Sequence, residues 1–483
     1  MPESSSPPRW ARVLDFLCLA FLLLALIVAL SGGFRVRLFD ARVAVTSPYR
    51  MLLWAAMFAI VRHVARPRPP IYADLSSRMR AAWNTSAVRT ALVTVVSTRA
   101  AIMFVGYMAI FLIGYPNVRA PWRVSDNEFG NLPARWDVGW YLGVAIDGYS
   151  FSPQVQANAG QQNIVFFPAM PLLIRVAGRL FGGSPLAYTW GGVLVSLIAF
   201  LAGLAYLFRL ARDLLGSETL ATYVVWLVGA YPFALFYGVP YTESLFLLGS
   251  VGAFYHFLHG EFWKGGAWGL MVGLTRPNGC FLSVPLALMA VEPWLPAWLV
   301  GGKRAADPAR IERRTSAQLV SSVAAASLPG IGVLLYSAYI WSLTGDPLSW
   351  AEGHIAWGRS YQGLWILVTE RYQYLSEAGV YNYTSQGSAD FIQLIGVVFA
   401  LVPVWAVARR FGLAFAVFIL INMLPPLAAG GLLSAGRFSS VLFPAFIWFG
   451  SVVPERQRPG WIAAFMALQA LNAAMFYTWR QLY

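Results

Sequence analysis

LAYTWGGVLVSLIAFLAGLAYLF, residues 186–208, holds no charged side chain in 23 positions and is followed at once by Arg209 and Arg212. As a helix it is long enough to cross a hydrocarbon core about 30 Å thick, and it offers water no polar face. Blocks of this kind, about 17 to 25 residues long, recur along the chain. The whole composition agrees: 483 residues, 58% hydrophobic and only 12% charged, against about a quarter charged in a soluble domain. A water-soluble protein is excluded, and an all-α polytopic membrane protein is predicted.

The formal net charge of +14 comes from 33 Arg and 2 Lys against 21 acids. Most of the arginines sit in short segments flanking apolar blocks, so they encode orientation by the positive-inside rule rather than a nucleic-acid surface. The tail up to Arg12 is too polar and proline-rich for a signal peptide, and Leu14 to Leu30 reads as a retained first span. With the N-terminus inside, spans are predicted at 14–32, 48–64, 99–115, 186–208, 219–238, 242–259, 317–342, 391–408, 411–429, 436–452 and 459–478. The block 265–293 is interrupted by Thr275-Arg276-Pro277-Asn278-Gly279. Read as two half-spans, it keeps Lys303, Arg304, Arg310, Arg313 and Arg314 inside and brings the total to about 13 transmembrane helices.

Two long external loops result, 116–185 and 343–390, and both are expected to carry juxtamembrane helices. One of these, FFPAMPLLIRVAGRLFG (166–182), has two prolines plus Arg175 and Arg179. Crossing the membrane there would put Arg209 and Arg212 outside, so it is read as an amphipathic helix on the outer face. The organisation is then a two-span N-terminal extension with a basic loop (1–98), a module holding the external loops (99–390), and C-terminal spans (391–483).

Ten of the 21 acids fall outside under this topology. Cys18 and Cys280 lie in apolar blocks, and His256 with His259 lacks further ligands, so neither a disulfide framework nor a metal site is expected. The block Arg135-Trp136-Asp137-Val138-Gly139-Trp140-Tyr141 carries the chemistry. Aromatic faces stack on sugar rings while a carboxylate takes a proton from a hydroxyl. A transporter or flippase of a lipid-linked sugar is the alternative. Transporters tend to place ionisable groups mid-span between internal repeats, whereas here the acids crowd the loops and no repeat is evident.

Six stretches in order, RWDVGWYLGVAIDGYS (135–150), FFPAMPLL (166–173), YPFALFYGVPYTESLFLL (231–248), GLTRPNG (273–279), GDPLSWAEGHIAWGRS (345–360) and SAGRFSSVLFPAF (434–446), resemble the motifs of GT-C membrane glycosyltransferases. They are most similar to the branch of the second GPI mannosyltransferase (PIG-V-like) and its bacterial relatives. The resemblance implies a GT-C fold and transfer of a mannose-type sugar from a polyprenyl-phosphate carrier to an acceptor on the non-cytoplasmic face, with inversion and without cofactor or metal. Asp137 would be the general base. Arg437 and Arg276, with His354 and Arg359, would serve the donor phosphate, because the planar guanidinium fork matches phosphate oxygens. Arg135, Trp136, Trp140, Tyr141, Tyr241, Glu243 and Trp357 would line the substrate. Glu243 reads equally as a sugar ligand or as the partner that holds an arginine.

The implied partners are the polyprenyl-phosphate sugar donor, a glycolipid, glycan or protein acceptor, and membrane lipid, with no nucleic acid. An aminoarabinose, galactose or glucose donor stays open beside mannose. Arginine in place of lysine, with abundant Ala, Gly and Trp, suggests a high-GC bacterium. The expected location is then the bacterial inner membrane, with the active site facing the periplasm or exterior.

Overall fold

The computed structural model describes residues 9–38, 41–65, 85–116, 122–292 and 315–482. Lys303, Arg304, Arg310, Arg313 and Arg314, which the orientation argument used, and Arg66, Arg68, Arg78 and Arg80 of the basic loop lie outside these residues. Helices dominate: α1 (Arg9–Ser31), α2 (Pro48–Ala65), α3 (Ser86–Leu112), α4 (Glu128–Asn131), α5 (Val138–Asp147), α6 (Pro153–Ala157), α7 (Ala169–Leu180), α8 (Pro185–Leu215), α9 (Glu218–Ala230), α10 (Glu243–Leu258), α11 (Phe262–Gly273) and α12 (Ser283–Val291) form the first part. The second part comprises α13 (Ser316–Ala326), α14 (Leu328–Thr344), α15 (Ser349–Glu352), α16 (Leu364–Gln386), α17 (Ser388–Leu401), α18 (Val404–Phe411), α19 (Leu413–Gly430), α20 (Ala435–Ser439), α21 (Phe443–Val452) and α22 (Arg458–Tyr477).

Among the described residues, six helical segments are long and apolar enough to cross a membrane: Val13–Leu30, Ser86–Leu112, Pro185–Leu215, Ser388–Phe411, Leu413–Gly430 and Glu455–Tyr477. A seventh is made if α13 and α14, bent by 42° at Ser327, act as one span. The protein is therefore an all-α polytopic membrane protein, while the described helices of spanning length fall short of the expected count of about 13. The reason is visible in α9, α10 and α21, which stop at 13, 16 and 10 residues. The chain turns into 3₁₀ geometry at Ala234–Gly238, where apolar sequence continues but the α-helix does not.

One local reading is corrected, one element is added and one expected break is found. The third span begins at Ser86, not near residue 99, so Arg99 lies inside a helix. That charge is tolerated because Arg99 Nη2 donates to the Gly229 carbonyl at 2.8 Å and to Gln469 Oε1 at 3.1 Å, and Nη1 to the Ala234 carbonyl. A two-stranded antiparallel hairpin, β1 (Phe34–Leu38) and β2 (Ala41–Val45), joins α1 to α2. The block at 265–293 is broken as expected, with α11 ending at Gly273, a 3₁₀ turn at Pro277–Leu282, and α12 continuing from Ser283.

The core is aromatic and tight. Phe200 stacks on Tyr237 with ring centres 4.2 Å apart, and Tyr231 packs against Phe399, Phe446 and Phe465. Close helix approaches depend on missing side chains: a Cβ on Gly436 would sit 2.0 Å from the Phe233 ring, and one on Gly106 would sit 2.1 Å from Tyr477. These contacts hold the C-terminal helices against α3 and the 231–243 segment. They thereby bring residues 135–141, 241–243, 276 and 437 to one end of the bundle.

Candidate active site

Asp137 occupies the N-cap position of α5 with its side chain uncommitted to the helix. The residue before it, Trp136, is held at φ 52°, a left-handed conformation that a bulky side chain adopts only where its surroundings over-determine it. Those surroundings come from the far end of the chain. Trp136 Nε1 donates to the Phe476 carbonyl at 3.2 Å, and its ring lies 5.1 Å from that of Trp479. Arg135 is fully buried and donates from Nε to the Tyr477 carbonyl at 2.8 Å and from Nη2 to Tyr115 Oη at 3.1 Å. On the other side, the Asp137 amide donates to Tyr241 Oη at 3.1 Å. Arg135 and Trp136 thus brace the loop.

The charged side chains form one chain of contacts. Arg437 Nη1 lies 3.3 Å from Asp137 Oδ2, and its Nε lies 2.8 Å from Glu243 Oε1. Arg276 Nη2 pairs with the same Glu243 oxygen, while its Nε donates to Thr242 Oγ1 at 2.6 Å. Side-chain exposure is 0% for Glu243, 7% for Arg276, 12% for Arg437 and 23% for Asp137, so the aspartate is the open end of the chain. Tyr241 lies under the Arg437 guanidinium at 5.2 Å. A buried ion pair is tolerated when every charge has a partner, and Glu243 supplies that partner to two guanidiniums at once.

Arg359 arrives from the second long loop. Its Nη2 donates to the Leu433 carbonyl at 2.7 Å and its guanidinium lies 5.3 Å from the Phe438 ring, while Nη1 is buried without a hydrogen-bond partner. Burial, then the like charge of Arg437, pulls its pKa down to about 10, and Asp137 acts in the opposite direction. Burial raises the pKa of Asp137 above the ordinary carboxylate value; Arg437 opposes this, Glu243 adds to it and Arg359 counters. Three guanidiniums therefore face two carboxylates in one enclosed region, leaving it cationic by one charge.

Aromatic rings wall the same region. Trp140 stacks on Phe166 with centres 5.8 Å apart, Trp357 meets both edge-on at 5.7 Å, and Tyr141 packs between Phe166 and Tyr241 at 5.0 and 6.0 Å. The structure thus gathers Asp137, Glu243, Arg276, Arg437, Arg359, Trp140, Tyr141, Tyr241 and Trp357. His354 instead donates from Nδ1 to the Trp350 carbonyl at 2.7 Å and rests edge-on to the Trp350 ring; burial keeps its pKa low. Sequence reasoning did not single out Phe166, although it quoted the FFP stretch. It gave no signal for Phe476, Tyr477 or Trp479. Among the described residues, no group of three or more His, Cys, Asp or Glu is placed to hold a metal ion.

The described residues thus bring a carboxylate, paired arginines and an aromatic wall together in a multi-pass helical membrane protein. Residues 122–290 match the family model described as mannosyltransferase (PIG-V), which bears out the PIG-V-like resemblance over that stretch. The matched stretch includes Asp137, Glu243 and Arg276, whereas Arg359 and Arg437 come from the remainder of the chain. No curated protein and no solved structure matches.

Proposed function

We propose that the protein transfers a mannose-type sugar from a polyprenyl phosphate to an acceptor hydroxyl on the non-cytoplasmic face, with inversion and with Asp137 as general base. The observation that carries this reading is the charge arrangement. Asp137 is the most exposed acid of the cluster, and beside it lies a net positive charge whose spare buried donors include Arg359 Nη1 and Arg276 Nη1. A phosphate bearing a sugar fits that surplus, and an acceptor hydroxyl fits the carboxylate.

In the transfer the acceptor O–H proton passes to Asp137 as the oxygen bonds to the anomeric carbon. The bond from that carbon to the phosphate oxygen breaks, and its electron pair stays on the phosphate. Arg437 and Arg359 neutralise the charge that grows there, an effect strongest where water is excluded. Phosphate is a good leaving group, so no strong acid is needed. Glu243 is the residue that holds Arg437 and Arg276 in register rather than a sugar ligand, because its carboxylate is fully enclosed between them. Trp140, Phe166 and Trp357 present the stacking surface for a sugar ring, and Tyr141 and Tyr241 close the wall behind Arg437.

The test supplies membranes, with and without the protein, with polyprenyl-phosphate mannose carrying a labelled sugar. Labelled acceptor that appears only with the protein is expected. Label that stays on the carrier but changes leaflet would favour the flippase reading instead.

A further inference from the structure

The first two helices precede every motif of the family pattern, yet they are tied to the catalytic layer at a single, well-defined junction. Three helix C-termini meet there: those of α1 at Ser31, α5 at Asp147 and α7 at Leu180. Each carries a partial negative charge and unsatisfied carbonyls, so their convergence is unfavourable unless cations and donors are supplied. The supply comes from the two arginines of α7. Arg175 donates from Nε to the Ala145 carbonyl at 2.6 Å and from Nη2 to the Val144 carbonyl at 3.1 Å, both on α5, and from Nη1 to the Leu30 carbonyl of α1 at 3.4 Å. Arg179 Nη1 donates to the Ala29 carbonyl at 2.6 Å and the Val28 carbonyl at 3.4 Å. In return, Tyr49 Oη of α2 meets the Arg179 and Leu180 carbonyls at 2.9 and 2.6 Å.

Two features make this more than a surface contact. The arginines that define α7 as amphipathic point inward to helix ends rather than outward to lipid headgroups. Moreover, Arg175, unlike Arg179, hydrogen-bonds to both α1 and α5, and α5 is the helix whose first turn starts at Asp137. A ten-residue helix is a short, stiff lever of about 15 Å, so the placement of its C-terminus fixes the placement of its N-cap.

We propose that Arg175 is a positioning residue that locks the N-terminal helical hairpin α1–α2 to the helix bearing Asp137, making the first two helices part of the support of the catalytic base. Arg179 and Tyr49 complete the lock without touching α5. The inference rests on the reading of Asp137 as the base, and it assigns a role to the segment that lies outside the family pattern.

The experiment uses the full chain, purified in detergent or reconstituted, with a fluorescence-detected size profile and amide exchange measured beside the kinetics. Arg175→Met keeps the side-chain length and removes the fork and the charge; Arg175→Lys keeps the charge alone. Arg179→Met and Tyr49→Phe loosen only the hairpin. Arg175→Met is expected to lower kcat per folded enzyme by about tenfold to a hundredfold, the cost of displacing a reacting group by around an ångström. Donor KM should change less than twofold, amide exchange across 138–148 should quicken, and the acidic limb of the pH profile should move. Arg175→Lys should recover part of kcat. Arg179→Met and Tyr49→Phe should give smaller losses of the same pattern.

A merely structural arginine would reduce the yield of folded protein but leave kcat per folded enzyme and the limb unchanged; that result in Arg175→Met overturns the proposal. If Arg175→Met fails to fold, Arg175→Lys and Arg179→Met decide the matter, and wild-type kcat in both also overturns it. Asp137→Asn is run alongside. Full turnover in Asp137→Asn refutes the base assignment itself, whereas inactive Asp137→Asn with wild-type kcat in the arginine variants refutes only the lock.

Discussion

Replacing Arg437 by alanine removes the one side chain that touches both carboxylates of the cluster. Glu243 keeps Arg276 and stays paired, but Asp137 loses its 3.3 Å partner, and the region loses its central cation. Two consequences follow. A charge-assisted hydrogen bond to phosphate is worth about 1.5–3 kcal/mol, so donor kcat/KM should fall on the order of 10- to 150-fold, with acceptor kcat/KM at saturating donor affected less. The second consequence concerns Asp137, the proposed base. Its pKa is already raised by burial, and Arg437 is the main influence holding it down, so the substitution raises it further. Because the base must be deprotonated to act, the acidic limb of the pH–rate profile should shift to higher pH, by about one unit or more for loss of an opposite charge at contact distance. Activity is lost first on the acid side, and raising the pH restores part of it. Arg437→Lys returns the charge without the fork and should recover the limb better than the donor efficiency. The assay is sugar transfer at varied donor with saturating acceptor, repeated from acid to neutral pH. An alanine variant with unchanged donor efficiency and an unmoved limb refutes the role given to Arg437.

The remaining tests probe other parts of the site. A Cβ at position 430 would come within 2.4 Å of Arg359 Nη1, so Gly430→Ala should push that guanidinium aside and raise donor KM several-fold while kcat changes little; unchanged donor KM in steady-state kinetics would detach Arg359 from the phosphate. Trp479→Ala removes the ring that braces Trp136 at positive φ and should cost about 1–3 kcal/mol in thermal stability together with kcat, whereas Trp479→Phe keeps most of both; equal melting temperatures in the two variants would count against the brace. For topology, cysteines placed at 125, 160 and 380 should react with an impermeant reagent added outside, and cysteines at 212 and 456 only after permeabilisation; the reverse pattern would put the site on the cytoplasmic face.

Much of this molecule is written locally in its sequence, and what is not has a common cause. The apolar blocks, the amphipathic segment now seen as α7 and the break at Thr275 to Gly279 are visible because hydropathy, proline and glycine act within a few residues. Asp137, Glu243, Arg276 and Arg437 were legible as a set only through ordered motifs, since 300 residues separate the aspartate from the arginine it meets. Arg99 was misread as the edge of a span because its partners, Gly229, Ala234 and Gln469, are remote in sequence and supply the polar surroundings no window can detect. Arg135 sits beside Asp137 and looked like a substrate ligand, yet the Tyr477 carbonyl claims it. Arg175 and Arg179 fit an outward-facing charged stripe by pattern, and only the meeting of three helix ends turns them inward.

The most direct test of the account is turnover of Asp137→Asn with donor binding measured on the same preparation. The amide keeps the side chain's shape and can still accept a hydrogen bond from Arg437, but it cannot take the acceptor's proton. The account predicts a loss of about 10²- to 10⁴-fold in kcat, the usual share of a general base, with donor affinity retained. Turnover within tenfold of wild type would contradict it and require the proton to leave by another route.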